Sequence, residues 1–305
     1  MKPSSETVVR SSRSDCVLVI MAKAPRPGEV KTRLTPSLSP AAVTDFYCCL
    51  LDDTLALARS LGDVEVAIMC PDSDVTELAQ LAGNGASVVA QKGEGLAAGL
   101  TSVFAHFAAG HQRRVIAFNS DSPHLPRSVL ENAFETLAAH HLVVGPTHDG
   151  GYYLVGAKAS YPTLFAGDGM GSSSALERLL SRARALELSV GFASPFYDID
   201  VVEDLTRLVE ELRLAPARAT RTATWLKEWE LAANQSRTNS RISSRKDGRT
   251  GTENCESHAR VENVHTRRCV VHGTNDLLTL LQRSGRTVLH GLFDACGNRL
   301  PVGDP

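Results

Sequence analysis

The chain has 305 residues, of which 43% are hydrophobic, and this is enough for one large folded domain with an appended segment. A formal net charge of −2 argues against a strongly basic nucleic-acid-binding surface, so we expect no nucleic-acid partner. No apolar run approaches the roughly 20 residues that a membrane-spanning helix needs. The seven cysteines are an odd number without a Cys-x-x-Cys pair, and the polar N-terminus lacks the apolar core of a signal peptide. These features predict a cytoplasmic protein with reduced thiols.

Strands and helices alternate in the first three quarters of the sequence. Apolar runs predict strands, and most are followed by a segment whose apolar residues have helical spacing. The first helix is bounded by an N-cap at Ser39, a first-turn proline at Pro40 and a glycine at Gly62. This alternation predicts an α/β fold, in which helices cover both faces of a mostly parallel sheet. The predicted strands are 17–20, 64–69, 86–90, 115–118, 142–144, 152–155 and 188–192, and the predicted helices are 40–61, a short one between 72 and 83, 96–109, 126–140, 172–187, 203–214 and 222–233.

The two ends of the sequence differ in character from its centre. Residues 1–15 are polar and are predicted to form a disordered lead. Residues 234–263 are rich in Ser, Arg, Thr, Asn and Gly, so they bury too little apolar surface to offset the entropy of ordering and are predicted to be a disordered linker. Some apolar patterning returns in residues 264–305, a small C-terminal extension of unknown fold. The predicted folded domain is therefore 16–233.

A loop with four cations directly follows the first predicted strand. Lys23, Arg26, Lys31 and Arg33 lie within fourteen residues, together with two prolines and Gly28. Four like charges this close repel one another unless an anion lies among them, and a nucleotide di- or triphosphate suits because Lys and Arg supply charge and donors. The glycine would let the backbone approach the phosphates. A solvated basic loop is the alternative, but the carboxyl end of a strand is where α/β folds bind ligands.

An acidic motif follows the fourth predicted strand. Asp121 comes at the carboxyl end of this strand, and Pro123 and Pro126 fix the turn into the next helix. A carboxylate at this place can bind Mg²⁺ or Mn²⁺, hard cations that prefer oxygen ligands. The metal would bridge phosphate oxygens and neutralise charge on the leaving group. Alternatively, Asp121 only caps the turn before the helix.

Two further acidic segments extend the candidate site. The Asp-Gly-Gly sequence at 149–151 places Asp149 beside an acceptor or a sugar, although the same three residues also suit an ordinary hairpin turn. Asp198 and Asp200 share one face of an extended segment, and we expect either to be a second metal ligand opposite Asp121.

A glycine-containing loop joins the third predicted strand to the next helix. It carries Gln91, Gly93 and Gly95. Glycines at a helix N-terminus suit the binding of phosphate or ribose, although glycine loops are common. The loop is therefore a candidate for the nucleotide site in combination with the other motifs.

Four motifs follow one another along the chain: the basic loop at 23–34, the acidic motif at 121–123, the Asp-Gly-Gly segment at 149–156 and the acidic segment at 198–205. In this order they resemble those of the DUF2064 family of bacterial GT-A-fold proteins, usually described as glycosyltransferases, some of them linked to arsenosugar biosynthesis. The match spans about 16–214, and the basic loop also resembles that of 2-phospho-L-lactate guanylyltransferase and the molybdenum-cofactor guanylyltransferases. The family usually carries Gly-Asp-Leu-Gly-Glu-Arg-Met in its glycine loop. Here the matching stretch, from Gly93, reads Gly-Glu-Gly-Leu-Ala-Ala-Gly-Leu and looks more like the guanylyltransferase version.

This resemblance implies a GT-A (Rossmann-like) nucleotide-diphospho-sugar transferase fold, a three-layer αβα sandwich. It implies that the cations Lys23, Lys31 and Arg33 hold the phosphates. It further implies that Asp121 holds the metal and that the acidic segment at 198–200 completes the metal site.

Three functional hypotheses remain open. The leading one is a metal-dependent glycosyltransferase that moves a sugar from a nucleotide sugar to a small-molecule acceptor, with Asp149 positioning or deprotonating the acceptor hydroxyl. The second is a nucleotidyltransferase that joins an NTP to a phosphorylated acceptor and releases pyrophosphate. The third is a nucleotide-binding regulatory module without turnover, whose basic C-terminal segment recruits a partner.

Overall fold

The computed structural model of the chain describes residues 15–109, 113–167 and 173–231. The predicted linker 234–263 and extension 264–305, and all of the predicted lead but Asp15, lie outside the described residues. Within the described part, each predicted strand and helix is confirmed in type. The strands are β1 (Cys16–Met21), β2 (Val64–Cys70), β3 (Ser87–Ala90), β4 (Arg114–Asn119), β5 (Leu142–Pro146), β6 (Tyr152–Ala157) and β7 (Val190–Phe192). The helices are α1 (Pro40–Arg59), α2 (Val75–Ala82), α3 (Gly95–Phe107), α4 (Arg127–Ala139), α5 (Ala175–Ala185), α6 (Val202–Leu214) and α7 (220–231).

The strands form one sheet in the order β3-β2-β1-β4-β6-β5-β7. Neighbouring strands are parallel except at β6, which runs antiparallel to both β4 and β5. The prediction of a mostly parallel α/β sheet is confirmed. Because β6 runs antiparallel to β5, the Asp-Gly-Gly sequence at 149–151 forms a hairpin turn, which was the alternative interpretation of this motif. This turn brings Asp149 to the sheet edge at which β1 and β4 end.

Apolar side chains on both faces of the sheet are buried beneath helices. In β1, Leu18 and Ile20 pack in one cluster with residues of α1, α2 and α4, while Val17 and Val19 pack in a second cluster with residues of α3 and α5. All four side chains are fully buried. Because successive side chains of a strand point to opposite faces, this alternation produces the predicted three-layer arrangement.

A third apolar cluster packs α1 against α6 and α7. It contains Phe46 of α1 and Trp225 and Trp229 of α7, with the rings of Phe46 and Trp225 5.0 Å apart at their centres. Ile199, in the segment before α6, is fully buried in the same cluster. The cluster therefore fixes the backbone between Asp198 and Asp200 from beneath.

The hairpin turn between β5 and β6 is held against the start of α5. The Leu176 N–H donates to the Gly150 carbonyl at 3.0 Å. Gly150 has a φ of +89°, and a Cβ at this position would collide with the backbone oxygen of Ser173. Glycine is required here both by conformation and by close approach.

Substituting Gly150 tests how rigidly this turn is held. Gly62 has a comparable φ of +74° but open space around a Cβ, so Gly62→Ala isolates the cost of the backbone conformation. We expect Gly62→Ala to lower the free energy of unfolding by about 1 kcal/mol. Gly150→Ala should lower it by roughly 2–4 kcal/mol, because the collision adds to the strain. Urea unfolding of both variants measures the difference, and equal losses would contradict the close packing on Ser173.

Candidate functional site

A cleft of about 1050 Å³ opens at the sheet edge where β1 and β4 end. Its volume is at the upper end of the range for small-molecule sites, so a nucleotide with a further group fits. The cleft is lined by residues from every predicted motif. All the predicted site residues except Gly28 line it: Lys23, Lys31, Arg33, Gln91, Gly93, Gly95, Asp121, Asp149, Asp198 and Asp200.

These motifs meet because of the register between two neighbouring strands. β1 and β4 are parallel, and Met21 at the end of β1 pairs with Asn119 at the end of β4. The basic loop and Asp121 therefore leave the sheet side by side, although about a hundred residues separate them in sequence.

Two cations of the basic loop lie directly on the acidic residues. The Lys31 ammonium is 2.8 Å from a carboxylate oxygen of Asp121 and 3.9 Å from one of Asp200. The Arg33 guanidinium is 2.6 Å from the other oxygen of Asp200. The Lys31 side chain is only 6% exposed, whereas that of Arg33 is 72% exposed. The mutual repulsion expected among the loop cations is thus partly relieved by the chain's own carboxylates.

Arg26, the second cation of the loop, has a structural role. Its guanidinium is 2.9 Å from the carboxylate of Asp74 and 3.2 Å from that of Glu77. Asp74 also accepts a hydrogen bond from the Ala24 N–H at 2.9 Å. Burial by itself would raise the pKa of Asp74, but the hydrogen bonds from Ala24, Ser73 and Arg26 outweigh it and lower the pKa. Arg26 therefore fixes the loop to the segment that precedes α2.

Gly28 lies outside the cleft lining. It has a φ of +81° and no atom within 4 Å of a Cβ placed on it, so the turn conformation alone accounts for glycine. Its expected contact with phosphate stays a prediction.

The segment that carries Asp198 and Asp200 is bonded to the acidic turn after β4. The Ile199 N–H donates to the Asp121 carbonyl at 3.1 Å, and the Ser122 hydroxyl donates to the Tyr197 carbonyl at 3.0 Å. Burial raises the pKa of Asp198, and the nearby carboxylates of Asp121 and Asp149 raise it further, against the attraction of Lys31. The acidic residues were expected to lie opposite one another, and they do face one cleft.

A neutral histidine supports the same segment. His124 is fully buried, and its ring packs against the rings of Phe196 and Tyr197, each 4.8 Å away at the centres. Burial lowers its pKa to about 3, so the ring is uncharged at neutral pH. His124 therefore contributes packing next to the site rather than charge.

Asp149 is held as an ionised carboxylate. It accepts hydrogen bonds from the Thr147 hydroxyl and, at 3.2 Å, from the Gly151 N–H. The bond from Thr147 is the main reason that the pKa of Asp149 is lowered. A carboxylate with a lowered pKa orients a hydroxyl group well but is a weak base.

A chain of buried hydroxyl groups, which the sequence analysis missed, connects the basic loop to Asp121. The Tyr47 hydroxyl accepts from the Lys23 N–H at 3.3 Å and lies 3.1 Å from the Ser120 hydroxyl, which donates to Asp121 at 3.2 Å. The Tyr47 hydroxyl can donate its proton either to the Ser120 hydroxyl or to the Lys23 carbonyl, which is 3.3 Å away. Burial and the nearby Asp121 carboxylate raise the pKa of Tyr47, which keeps this proton in place.

The glycine-containing loop adds a helix N-terminus to the cleft. Gly93 and Gly95 have φ values of +82° and +79°, and the Gln91 amide donates to the Gly93 carbonyl at 2.9 Å. Helix α3 begins at Gly95, and its N-cap residue, Glu94, makes no side-chain capping bond. The first amide groups of α3 can therefore donate to an anion in the cleft.

The cleft lining is acidic overall. It contains three cations, Lys23, Lys31 and Arg33, against seven carboxylates, Glu29, Asp72, Glu94, Asp121, Asp149, Asp198 and Asp200. In the described part of the chain there is no group of three or more His, Cys, Asp or Glu side chains arranged to hold a metal ion by themselves. A metal at Asp121 would therefore take further ligands from a substrate or from water.

Comparison with known proteins supports the predicted family and fold. The model of the DUF2064 family, described as an uncharacterized protein conserved in bacteria, matches residues 54–172, which confirms the predicted resemblance. The chain is similar to a candidate nucleotide-diphospho-sugar transferase from Desulfovibrio desulfuricans G20, with 26% identity and a TM-score of 0.66. This match covers 73% of the chain and 98% of the other protein, and it supports the prediction of a transferase. No curated protein matches the chain significantly.

Two further solved structures match the chain at lower similarity. Rv0371c from Mycobacterium tuberculosis H37Rv, in complex with manganese, is 19% identical over 65% of the chain and all of that protein, with a TM-score of 0.40. A CMP:2-keto-3-deoxy-manno-octonic acid synthetase in complex with CTP is 12% identical over 67% of the chain and 98% of that protein, with a TM-score of 0.44. Neither is close enough to bear on the site. Within the described residues, no helix has the length and apolar character to cross a bilayer.

The pairing of Asp74 predicts a pH-dependent stability. Asp74→Asn removes the charge that Arg26 needs, and we expect it to lower the free energy of unfolding at pH 7 by about 1–3 kcal/mol. Because the pKa of Asp74 is lower in the folded state, its contribution is complete above the unfolded-state value of about 3.9 and is lost as the pH falls through the folded-state value. Urea unfolding should therefore show that the difference in unfolding free energy between wild type and variant becomes smaller below about pH 4. A difference in unfolding free energy that does not change with pH would contradict the lowered pKa of Asp74.

The hydroxyl chain predicts that Tyr47→Phe weakens ligand binding as well as stability. Tyr153→Phe is the matched control, since its hydroxyl donates to the Ser194 carbonyl at 2.8 Å instead. Each variant should lose about 1 kcal/mol of unfolding free energy. Only Tyr47→Phe should also weaken binding of UDP with Mn²⁺, measured by calorimetry, because Ser120, which donates to Asp121, loses its contact with the Tyr47 hydroxyl. Equal affinities of both variants for UDP with Mn²⁺ would mean that Tyr47 contributes only to packing.

Proposed function

We propose that the protein is a metal-dependent glycosyltransferase, which transfers a sugar from a nucleotide-sugar donor to a small-molecule acceptor with Mg²⁺ or Mn²⁺. The charge of the cleft carries this proposal. Three cations against seven carboxylates repel a bare diphosphate, yet the cleft has the size and the sheet-edge position of a nucleotide site. A divalent cation bound with the nucleotide would offset part of that repulsion.

The donor set suits a hard divalent cation. Asp121 and Asp200 supply carboxylate oxygens at the place where the strands end, and Asp198 faces the same cleft. Mg²⁺ is usually bound by one or two carboxylates together with phosphate oxygens and water, rather than by a complete cage of side chains. When bound, the metal would supply electrostatic stabilisation of the departing nucleoside diphosphate.

The basic loop and the start of α3 would neutralise the remaining phosphate charge. Lys23, Lys31 and Arg33 line the cleft and can donate to phosphate oxygens, while Arg26 is engaged with Asp74 and is excluded from this role. The amide groups at the start of α3 add donors to the same cleft. The Gln91 side chain stabilises the loop from which these amides project.

The acceptor side of the cleft favours an uncharged hydroxyl group. Asp149, the predicted acceptor residue, lines the cleft together with Asp198, and the cation Arg33 is already 2.6 Å from Asp200. A phosphorylated acceptor would be repelled by these carboxylates, whereas a sugar or polyol hydroxyl can donate to the ionised Asp149. The lowered pKa of Asp149 fits orientation of the acceptor better than removal of its proton.

Nucleotidyl transfer is the second candidate, and one observation favours it. The glycine-containing loop at 93–100 lacks the Glu-Arg pair of the family and is closer to the guanylyltransferase version. In that reaction an NTP would release pyrophosphate, whereas glycosyl transfer would release a nucleoside diphosphate.

The test is a binding screen followed by identification of the product. The full chain is titrated with nucleotide sugars, NDPs and NTPs in the presence and absence of Mn²⁺, with unfolding as the readout. A ligand at 100 times its dissociation constant should stabilise the protein by about 2.7 kcal/mol. We expect a selective, Mn²⁺-dependent effect of one nucleotide sugar, weakened at least tenfold in affinity in Asp121→Asn. Glu131→Gln, an equally small change on α4, is the control.

Each result has a distinct meaning. Release of a nucleoside diphosphate from that nucleotide sugar in the presence of an acceptor supports the proposal. Selective binding of an NTP with release of pyrophosphate replaces it with nucleotidyl transfer. Stabilisation that is independent of Mn²⁺, or retained in Asp121→Asn, contradicts the role of the metal.

A further inference from the structure

We infer that Lys31 occupies the divalent-cation position beside Asp121 in the nucleotide-free protein and must leave it when the metal and nucleotide bind. This inference rests on the proposed function and adds a rule to it: Lys31 and the metal exclude one another at Asp121. Lys31 then becomes a phosphate ligand only after the metal has taken its place.

The contacts of the Lys31 ammonium carry the first step. It lies 2.8 Å from Asp121 and 3.9 Å from Asp200, two of the three predicted metal ligands. Its side chain is 6% exposed, so the charge is held inside the cleft wall and is not a solvated surface charge. The Lys31 ammonium, a monovalent cation, therefore already pairs with the carboxylates that a divalent cation would need as ligands.

The backbone at Lys31 is shaped to deliver this side chain. Its φ of 48° and ψ of 40° place it in the left-handed region, and among the described residues only Glu187 is another non-glycine residue with positive φ. Lysine has no special preference for this conformation. Val30 and Leu34, on either side, are buried in the third apolar cluster and anchor the segment. A strained conformation that is retained beside a functional cleft marks a residue whose position matters.

Electrostatics excludes joint occupancy. Lys31 contacts one oxygen of Asp121 and the Ser120 hydroxyl donates to the other, so a divalent ion at Asp121 would lie next to the ammonium and the two would repel each other strongly in a partly buried site. Arg33 pairs with Asp200 rather than with Asp121, so the carboxylate of Asp121 has Lys31 as its cation. Displaced from Asp121, the ammonium needs a new anion, and the phosphates of a nucleotide provide one.

The consequence is positive coupling between metal and nucleotide. A metal ion alone must displace Lys31 into a state without an anionic partner, which weakens its binding. With nucleotide present, the displaced lysine gains the phosphates, so each ligand strengthens binding of the other. Lys31 then prevents the acidic cleft from binding a metal ion in the absence of the nucleotide.

Opposite effects of one substitution test this inference. Mn²⁺ alone, and then UDP and GDP with saturating Mn²⁺, are titrated into the full chain by calorimetry. Lys31→Met should bind Mn²⁺ alone at least tenfold more tightly than wild type, and the Mn²⁺–nucleotide complex at least tenfold more weakly. Lys158→Met removes the same charge from a residue that donates to the Ala138 carbonyl, and should leave Mn²⁺ affinity within about twofold.

The controls separate the inference from the proposed function. Adding Asp121→Asn to Lys31→Met should abolish the gain in Mn²⁺ affinity, which assigns the gain to that carboxylate. If wild type binds the Mn²⁺–nucleotide complex but Lys31→Met shows no gain for Mn²⁺ alone while remaining folded by circular dichroism, the inference is wrong and the function stands. If neither protein binds Mn²⁺ or nucleotide, the proposed function fails and the inference fails with it.

Discussion

The pairing of the basic loop with the carboxylates after β4 is the interaction on which the site depends. It exists because β1 and β4 are adjacent and parallel, so that the residues after Met21 and Asn119 leave the sheet together. The 2.8 Å contact between Lys31 and Asp121 is the direct product of that register. A change in strand order would separate these charges and leave the buried Lys31 ammonium without compensation, which is costly in a partly dry cleft.

The helical layers fix the rest of the site through apolar contacts beneath it. Ile199 is buried between two aspartates, so the third apolar cluster aligns the acidic segment while the carboxylates remain at the cleft. Gly150 does the same for Asp149 by lying against Ser173 at the start of α5. The polar groups that would bind ligands are thus carried on short segments, and each segment is anchored by a residue without charge.

Much of this arrangement could be predicted from the sequence. Buried strands appear as short apolar runs, and in a parallel sheet the residues that follow such runs meet at one edge, so Lys31, Asp121 and Asp200 could be grouped without a structure. The direction of β6 could not be predicted, because the Asp-Gly-Gly turn suits both a hairpin and a ligand loop, and here it forms the hairpin. Tyr47 was visible only as an apolar position of α1, since the partner of its hydroxyl lies 73 residues away.

The basic loop shows why charge in a sequence motif does not by itself indicate function. Arg26 and Lys31 are both cations of one short loop, yet Arg26 is bound to Asp74 and Glu77 and serves the fold, while Lys31 lies on the carboxylates of the cleft. The difference comes from partners that are distant in sequence. With three cations against seven carboxylates, the cleft is acidic whether or not Arg26 is counted, and the argument for an anionic ligand changes. Under the proposed function, the carboxylates would take part in nucleotide binding through a metal ion. The site therefore contains two sets of side chains with opposite charges, which partly neutralise each other. A metal–nucleotide complex would separate these two sets.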